Sequence, residues 1–104
     1  FVNIGEHAFI AGGSLVRKNV PPYVKAAREP LSYVGVNTIG LRRRGFNDQQ
    51  IINIEDIYRV IYVQNSNITT ALSVAELEIP VSDEKEVVLD FIRNSTKGIM
   101  RGLS

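Results

Sequence analysis

Apolar residues return along the first part of the chain with a period of six. Ile4, Ile10 and Val16 mark it, small residues follow the first two (Gly5, Ala11), and further small residues stand four positions after them (Ala8, Ser14). This spacing predicts hexapeptide units of a parallel β-helix, with the aliphatic side chain pointing inward and the small residues at the corners. The alternative is an ordinary pair of strands joined at Gly12-Gly13. About one coil is present, and one coil cannot bury its own face. Pro21-Pro22 stops the pattern, because proline lacks the N–H of a sheet ladder and forces its predecessor to be extended. Tyr23 to Pro30 reads as an exposed crossing segment carrying Lys25, Arg28 and Glu29, and Leu31 to Val34 can still pack.

The period then becomes helical. Asn47 with Gln50 three residues on is a capping-box arrangement. Ile51, Ile54, Tyr58 and Ile61 fall on one helix face, widened by Ile57 and Tyr62. Gln64 to Asn67 is a polar break. A second helix is predicted over Thr69 to Ile79, with Leu72, Ala75 and Ile79 inward, and Pro80 stops it. Ser82 caps a third, with Asp83 and Glu84 in its first turn and Val88, Phe91, Ile92 and Ser95 on its face. Lys97-Gly98 suits its end, and the tail from Ile99 to Ser104 is expected to fray.

Composition changes this picture little. The 104 residues fit one modest domain with a limited core. A net charge of +1 supplies no global field for nucleic acid or a membrane surface. The absence of cysteine excludes disulfides, thiolate metal sites and thiol nucleophiles, and the single histidine excludes a histidine-rich zinc site within the chain. No apolar run approaches the roughly 18 residues of a membrane span, and no signal-peptide pattern opens the chain. The first residue is not Met and lies inside an ongoing pattern, so the chain reads as part of a longer one.

The charge is local. Arg42, Arg43 and Arg44 stand consecutively between Gly40 and Gly45. Adjacent guanidinium groups repel unless something anionic answers them, and their planar forks suit phosphate or carboxylate. A short helix would bring Asn37 and Arg43 within about two turns, with Gly45 ending it and Phe46 packing back. A solvated basic turn is the alternative. No Ser/His/Asp set assembles, His7 reads as an outward side chain, and Gly12-Gly13 reads as a corner because no phosphate-loop pattern follows it.

Taken in order, these motifs resemble one family. The hexads, Val20-Pro21-Pro22-Tyr23, Gly35-Val36-Asn37, Gly40-Leu41-Arg42-Arg43-Arg44-Gly45-Phe46 and the closing Phe91 to Ile99 are similar to the UDP-N-acetylglucosamine O-acyltransferases that start lipid A synthesis in Gram-negative bacteria. The resemblance implies the last coil or coils of a left-handed parallel β-helix (residues 1–22), a connecting segment (23–34) and an all-α C-terminal domain (35–104). It implies transfer of an (R)-3-hydroxyacyl chain from acyl carrier protein to the sugar 3-hydroxyl in a cytoplasmic homotrimer, without a cofactor. The family's general base is a histidine of an earlier coil that nothing here matches. The chain is therefore expected to hold no catalytic residue and to be inactive alone.

By the same resemblance Asn37, Arg43 and Arg44 lie at the nucleotide sugar, guanidinium on diphosphate and amide on the uracil or ribose edge. Gly12 lies at the floor of the acyl groove, where residue size limits chain length. Arg42 and Arg59, with Arg93, could meet the acidic carrier protein. Two places depart from the family pattern: Ile39 replaces an acid, and Arg28-Glu29-Pro30 replaces Gly-Asn-His. The remaining readings are the pathway's N-acyltransferase, against which the arginine motif argues, and a non-catalytic docking or trimerisation module.

Overall fold

The computed structural model describes residues 2–65 and 67–102. Phe1, Ser66 of the polar break, and Leu103 and Ser104 of the tail lie outside them. Three strands come first: β1 (Phe9–Ile10), β2 (Val24–Ala27) and β3 (Ser32–Val36). Four α-helices follow: α1 (Thr38–Arg43), α2 (Asp48–Tyr58), α3 (Ile68–Glu78) and α4 (Asp83–Arg93). A π-helical stretch, Arg59–Gln64, continues α2.

The sheet corrects the expected fold. It is a three-stranded mixed sheet in the order β1-β2-β3, open rather than curled into a coil. No left-handed β-helix coil is present among the described residues, so the hexapeptide-repeat reading of residues 1–22 does not hold. The cause lies in the pairing. β1 runs parallel to β2, with Phe9 opposite Lys25 and Ile10 opposite Ala26, and Ile4 makes one isolated parallel bridge to Val20. β2 then turns back to pair antiparallel with β3, which ends any parallel winding. Ile4, Phe9 and Leu15 stay exposed because nothing stacks on them.

The part from residue 35 on, expected to be all-α, is not entirely so, since β3 runs on to Val36, while β2 and the start of β3 lie in the stretch expected to connect. Charged Lys25 does not break β2; it points out between inward Val24 and Ala26, as strand alternation requires.

The helices form for the reasons their caps suggest. Asn47 Oδ1 accepts from Gln50 N at 2.8 Å, while Gln50 Oε1 accepts from Asn47 N at 2.8 Å, the reciprocal capping box. Ser82 Oγ accepts from Lys85 N at 3.0 Å. α3 begins one residue before the expected Thr69, because Asn67 caps it through Thr70 N at 3.1 Å. α2 buries Ile51, Ile54, Ile57 and Tyr58, and the π-helical stretch buries Val60 and Ile61. Asn65 Nδ2 closes that stretch on Val60 O at 2.9 Å.

Two polar ties lock helices to the rest. Tyr58 Oη donates to Pro22 O at 2.7 Å from a fully buried position, and burial pushes this phenol well above its ordinary pKa, so it stays a donor. Buried Lys85 donates from Nζ to Glu76 O at 2.9 Å and Ile79 O at 2.8 Å, joining α4 to the carbonyl end of α3, where a cation is favoured. The tail is tied down as far as it is described. Met100 is buried, its N–H donates to Asn19 O, and Arg101 O accepts from Tyr33 N, each at 2.9 Å.

Candidate functional site: a cationic cleft at helix α1

Helix α1 is short and strongly punctuated. Asn37 is its N-cap, with Oδ1 accepting from Gly40 N at 3.3 Å. The same side chain donates from Nδ2 to His7 O at 3.1 Å, so one amide fixes the helix start and ties it to the turn before β1. An Asn side chain has two donors and two acceptor lone pairs, which leaves one of each for a ligand. Gly40 is required by this arrangement, since a Cβ there would lie 2.4 Å from Asn37 Nδ2.

The far end closes as a Schellman motif. Gly45 N donates to Arg42 O at 3.1 Å and Phe46 N to Leu41 O at 3.0 Å, with Gly45 at φ +91°. Phe46 then packs edge-on to His7, ring centroids 5.3 Å apart, and to Tyr23 at 5.7 Å. His7 and Tyr23 stack at 6.0 Å. Burial, followed by the charge of Glu6, raises the Tyr23 phenol far above its ordinary pKa. This aromatic cluster packs the residue after α1 against the segments that lead into β1 and β2.

A cavity of about 440 Å³ lies between them. Arg43, Arg44, Asn37, Gly40 and Ile39 line it from the α1 side, and His7, Ala8, Phe9 and Lys25 from the other. Arg43 and Arg44 are exposed and, among the described residues, have no acidic group within 4.0 Å. Lys25 is in the same condition. Ile39, 64 % exposed, is an apolar lip where a carboxylate would have offset these charges. The cleft is thus a concave, water-exposed surface with three unanswered cations, suited to an anion with more than one charged oxygen.

Of the residues singled out from sequence, Asn37, Arg43 and Arg44 meet in this cleft. Arg42 does not: it turns to Asp48 at 3.4 Å. Arg59 lies on the π-helical stretch, paired with Asp56 at 2.6 Å, and Arg93 pairs with Asp90 at 3.3 Å and with Glu76. Gly12 sits in an exposed turn with no atom within 4 Å of where a Cβ would stand. His7 and Lys25 are the cleft residues that sequence reading missed. For Lys25 the signal was present, in the Val24-Lys25-Ala26 alternation.

Fold and site together define a small α/β domain that presents a cationic cleft beside a capped helix. Residues 19–100 match the family model for UDP N-acetylglucosamine O-acyltransferase, domain 2, and the chain belongs to that family. It is 33% identical over 101 residues to the acyl-[acyl-carrier-protein]–UDP-N-acetylglucosamine O-acyltransferase of Myxococcus xanthus, covering 97% of this chain and 39% of that protein. It is 41% identical over 92 residues to the enzyme of the same name from Fusobacterium nucleatum, covering 86% and 35%. A crystal structure of a UDP-N-acetylglucosamine acyltransferase from Bacteroides fragilis superposes with a TM-score of 0.93 at 48% identity, covering 97% of this chain and 40% of that one. The chain therefore spans about two-fifths of the length of the relatives it matches. Among the described residues no helix is long and apolar enough to cross a membrane.

Proposed function

We propose that this chain is the C-terminal part of a cytoplasmic, homotrimeric O-acyltransferase that moves an (R)-3-hydroxyacyl chain from acyl carrier protein to the 3-hydroxyl of UDP-N-acetylglucosamine, the first step of lipid A synthesis. Its contribution is the nucleotide-sugar site, and the general base comes from another part of the enzyme. The observation that carries this reading is the cleft itself: Arg43 and Arg44 face a 440 Å³ cavity without an acidic partner, beside the Asn37 cap. A diphosphate supplies the charge they lack, and the free donor and acceptor of Asn37 suit the uracil or ribose edge.

The finer roles follow the same logic. Arg42 and Arg59 would meet the acidic carrier protein by exchanging their pairs with Asp48 and Asp56. Gly12, at the position the family resemblance places on the floor of the acyl groove, would set acyl length, since a longer side chain would occupy space that glycine leaves open. Gly12→Met in the full-length enzyme should lower the ratio of long- to short-chain rates, read with acyl donors of graded length. An unchanged ratio removes Gly12 from the groove. Gly13→Met is the poorer probe, since φ of +79° there strains any side chain.

Steady-state acyl transfer by the full-length enzyme tests the reading. Arg43→Ala and Arg44→Ala should each raise KM for UDP-N-acetylglucosamine by about 10- to 150-fold, the equivalent of about 1.5–3 kcal/mol for a charge-assisted contact. Lysine at either position should restore only part of it, because the fork is lost. Near-normal KM in both alanine variants would return these arginines to a solvated turn.

A further inference from the structure

Lys25 lines the same cavity as Arg43 and Arg44 but belongs to a different element. It is the outward residue of β2, between inward Val24 and Ala26. The β2–β3 register shifts between Lys25 and Ala26, an irregularity of the kind that re-aims a strand side chain. Its neighbour on β3 is Gly35, and a Cβ on Gly35 would stand 4.0 Å from Lys25 Cε, so the lysine stem lies along a strand that has no side chain to compete with it. Its neighbour on β1 is Phe9, which also lines the cavity. No carboxylate among the described residues lies within 4.0 Å of its ammonium group.

We infer that Lys25 is a further phosphate-binding residue, holding from the sheet side the same diphosphate that Arg43 and Arg44 hold from the helix side. The inference rests on the nucleotide-sugar reading of the cleft and extends it. Arg43, the last residue of α1, and Arg44, its C-cap, can neutralise a diphosphate from a single element. A third cation, carried by the sheet, makes a clamp, and it makes binding depend on how β2 and α1 sit relative to each other. Lysine fits this position as a point charge on a long stem, which reaches without requiring the planar geometry of arginine. The clamp should favour two linked phosphates over one, because a diphosphate offers more charged oxygens to cations carried by two separate elements.

The experiment titrates UDP-N-acetylglucosamine, UDP and UMP into the full-length enzyme as wild type, Lys25→Met, Lys25→Arg, Arg43→Ala and Lys18→Met. Lys18→Met removes the same charge away from the cleft and controls for net charge. The expected result for Lys25→Met is a loss of about tenfold in affinity for UDP and UDP-N-acetylglucosamine, the lower end for a charge-assisted contact. UMP should lose less, Lys25→Arg should bind near the wild-type level, and Lys18→Met should not change. If Arg43→Ala weakens UDP binding while Lys25→Met matches wild type, the clamp is wrong and the helix-side site stands. If neither variant weakens it, the nucleotide-sugar reading itself is overturned. Equal losses for UDP and UMP, or an equal loss in Lys18→Met, would reduce Lys25 to a general contribution of charge and overturn the inference.

Discussion

Residues 2–18 and the helical part of the chain are both rich in aliphatic side chains, yet they hold those side chains in opposite ways. Ile54 and Ile57 on α2 are 0 % exposed, whereas Ile4 is 52 % and Phe9 and Leu15 are 56 % exposed. The difference is not one of hydrophobicity but of cover. α2 lies between β3 and α4, so its apolar face has partners on two sides. The early segment has β2 along one edge and two residues of regular strand, with nothing over its outward side chains. The cleft sits where these two regimes meet, with one wall anchored in the core through Leu41 and the other carried by β1 and β2.

The contrast can be broken by substitution. Ile54→Ala should have the largest effect, a loss of about 2–5 kcal/mol read by denaturant unfolding, because it opens a cavity in a closed core. A loss below about 1 kcal/mol would mean that the core is looser than the packing implies. Gly5→Ala should come next. Its Cβ would fall 2.3 Å from Pro22 N, a backbone atom that cannot swing aside, so the two regions must separate at this point. Overpacking of this kind costs about 1–3 kcal/mol, and amide exchange should quicken first at Gly5 and Tyr23, which bond to Val20 O and Glu6 O. Ile4→Ala should have the smallest effect, within about 0.5 kcal/mol, as at ordinary surface positions. A loss as large as that of Ile54→Ala would show that the early segment is covered in solution.

The same contrast explains what could be read from sequence. The helices were legible because their signals are local: Asn47 with Gln50, Ser82 before Asp83, and Gly45 after three arginines each act within one turn. The early segment was misread because a period of six describes where an extended chain turns, not which strand it pairs with. The pairing of Phe9 with Lys25 and Ile10 with Ala26 lies beyond Pro21-Pro22, where the pattern had ended. β2 was hidden by its own charge, since Lys25, Arg28 and Glu29 suggested an exposed connector when only Lys25 belongs to the strand. The π-helical stretch left no sequence mark, because Arg59 to Gln64 holds neither glycine nor proline.

The cleft divides along the same line. Asn37, Arg43 and Arg44 are neighbours in sequence and their meeting was foreseeable. His7 and Lys25 arrive from segments whose approach depends on strand pairing: alternation could mark Lys25 as outward, but spacing could not bring either residue to α1. Asn37 also does more than its amide suggested, because Nδ2 holds His7 O while Oδ1 caps α1.

The central claim is that the α1 arginines bind the nucleotide sugar and contribute little to holding the fold. A direct titration of UDP-N-acetylglucosamine into the full-length protein, with and without the paired change of Arg43 and Arg44 to alanine, tests it when thermal melting is recorded on the same samples. The account predicts affinity lower by at least about tenfold, the least expected of one charge-assisted contact, with the melting temperature of the unliganded protein unchanged. Unchanged affinity, or a loss of affinity that only accompanies a lowered melting temperature, would contradict it.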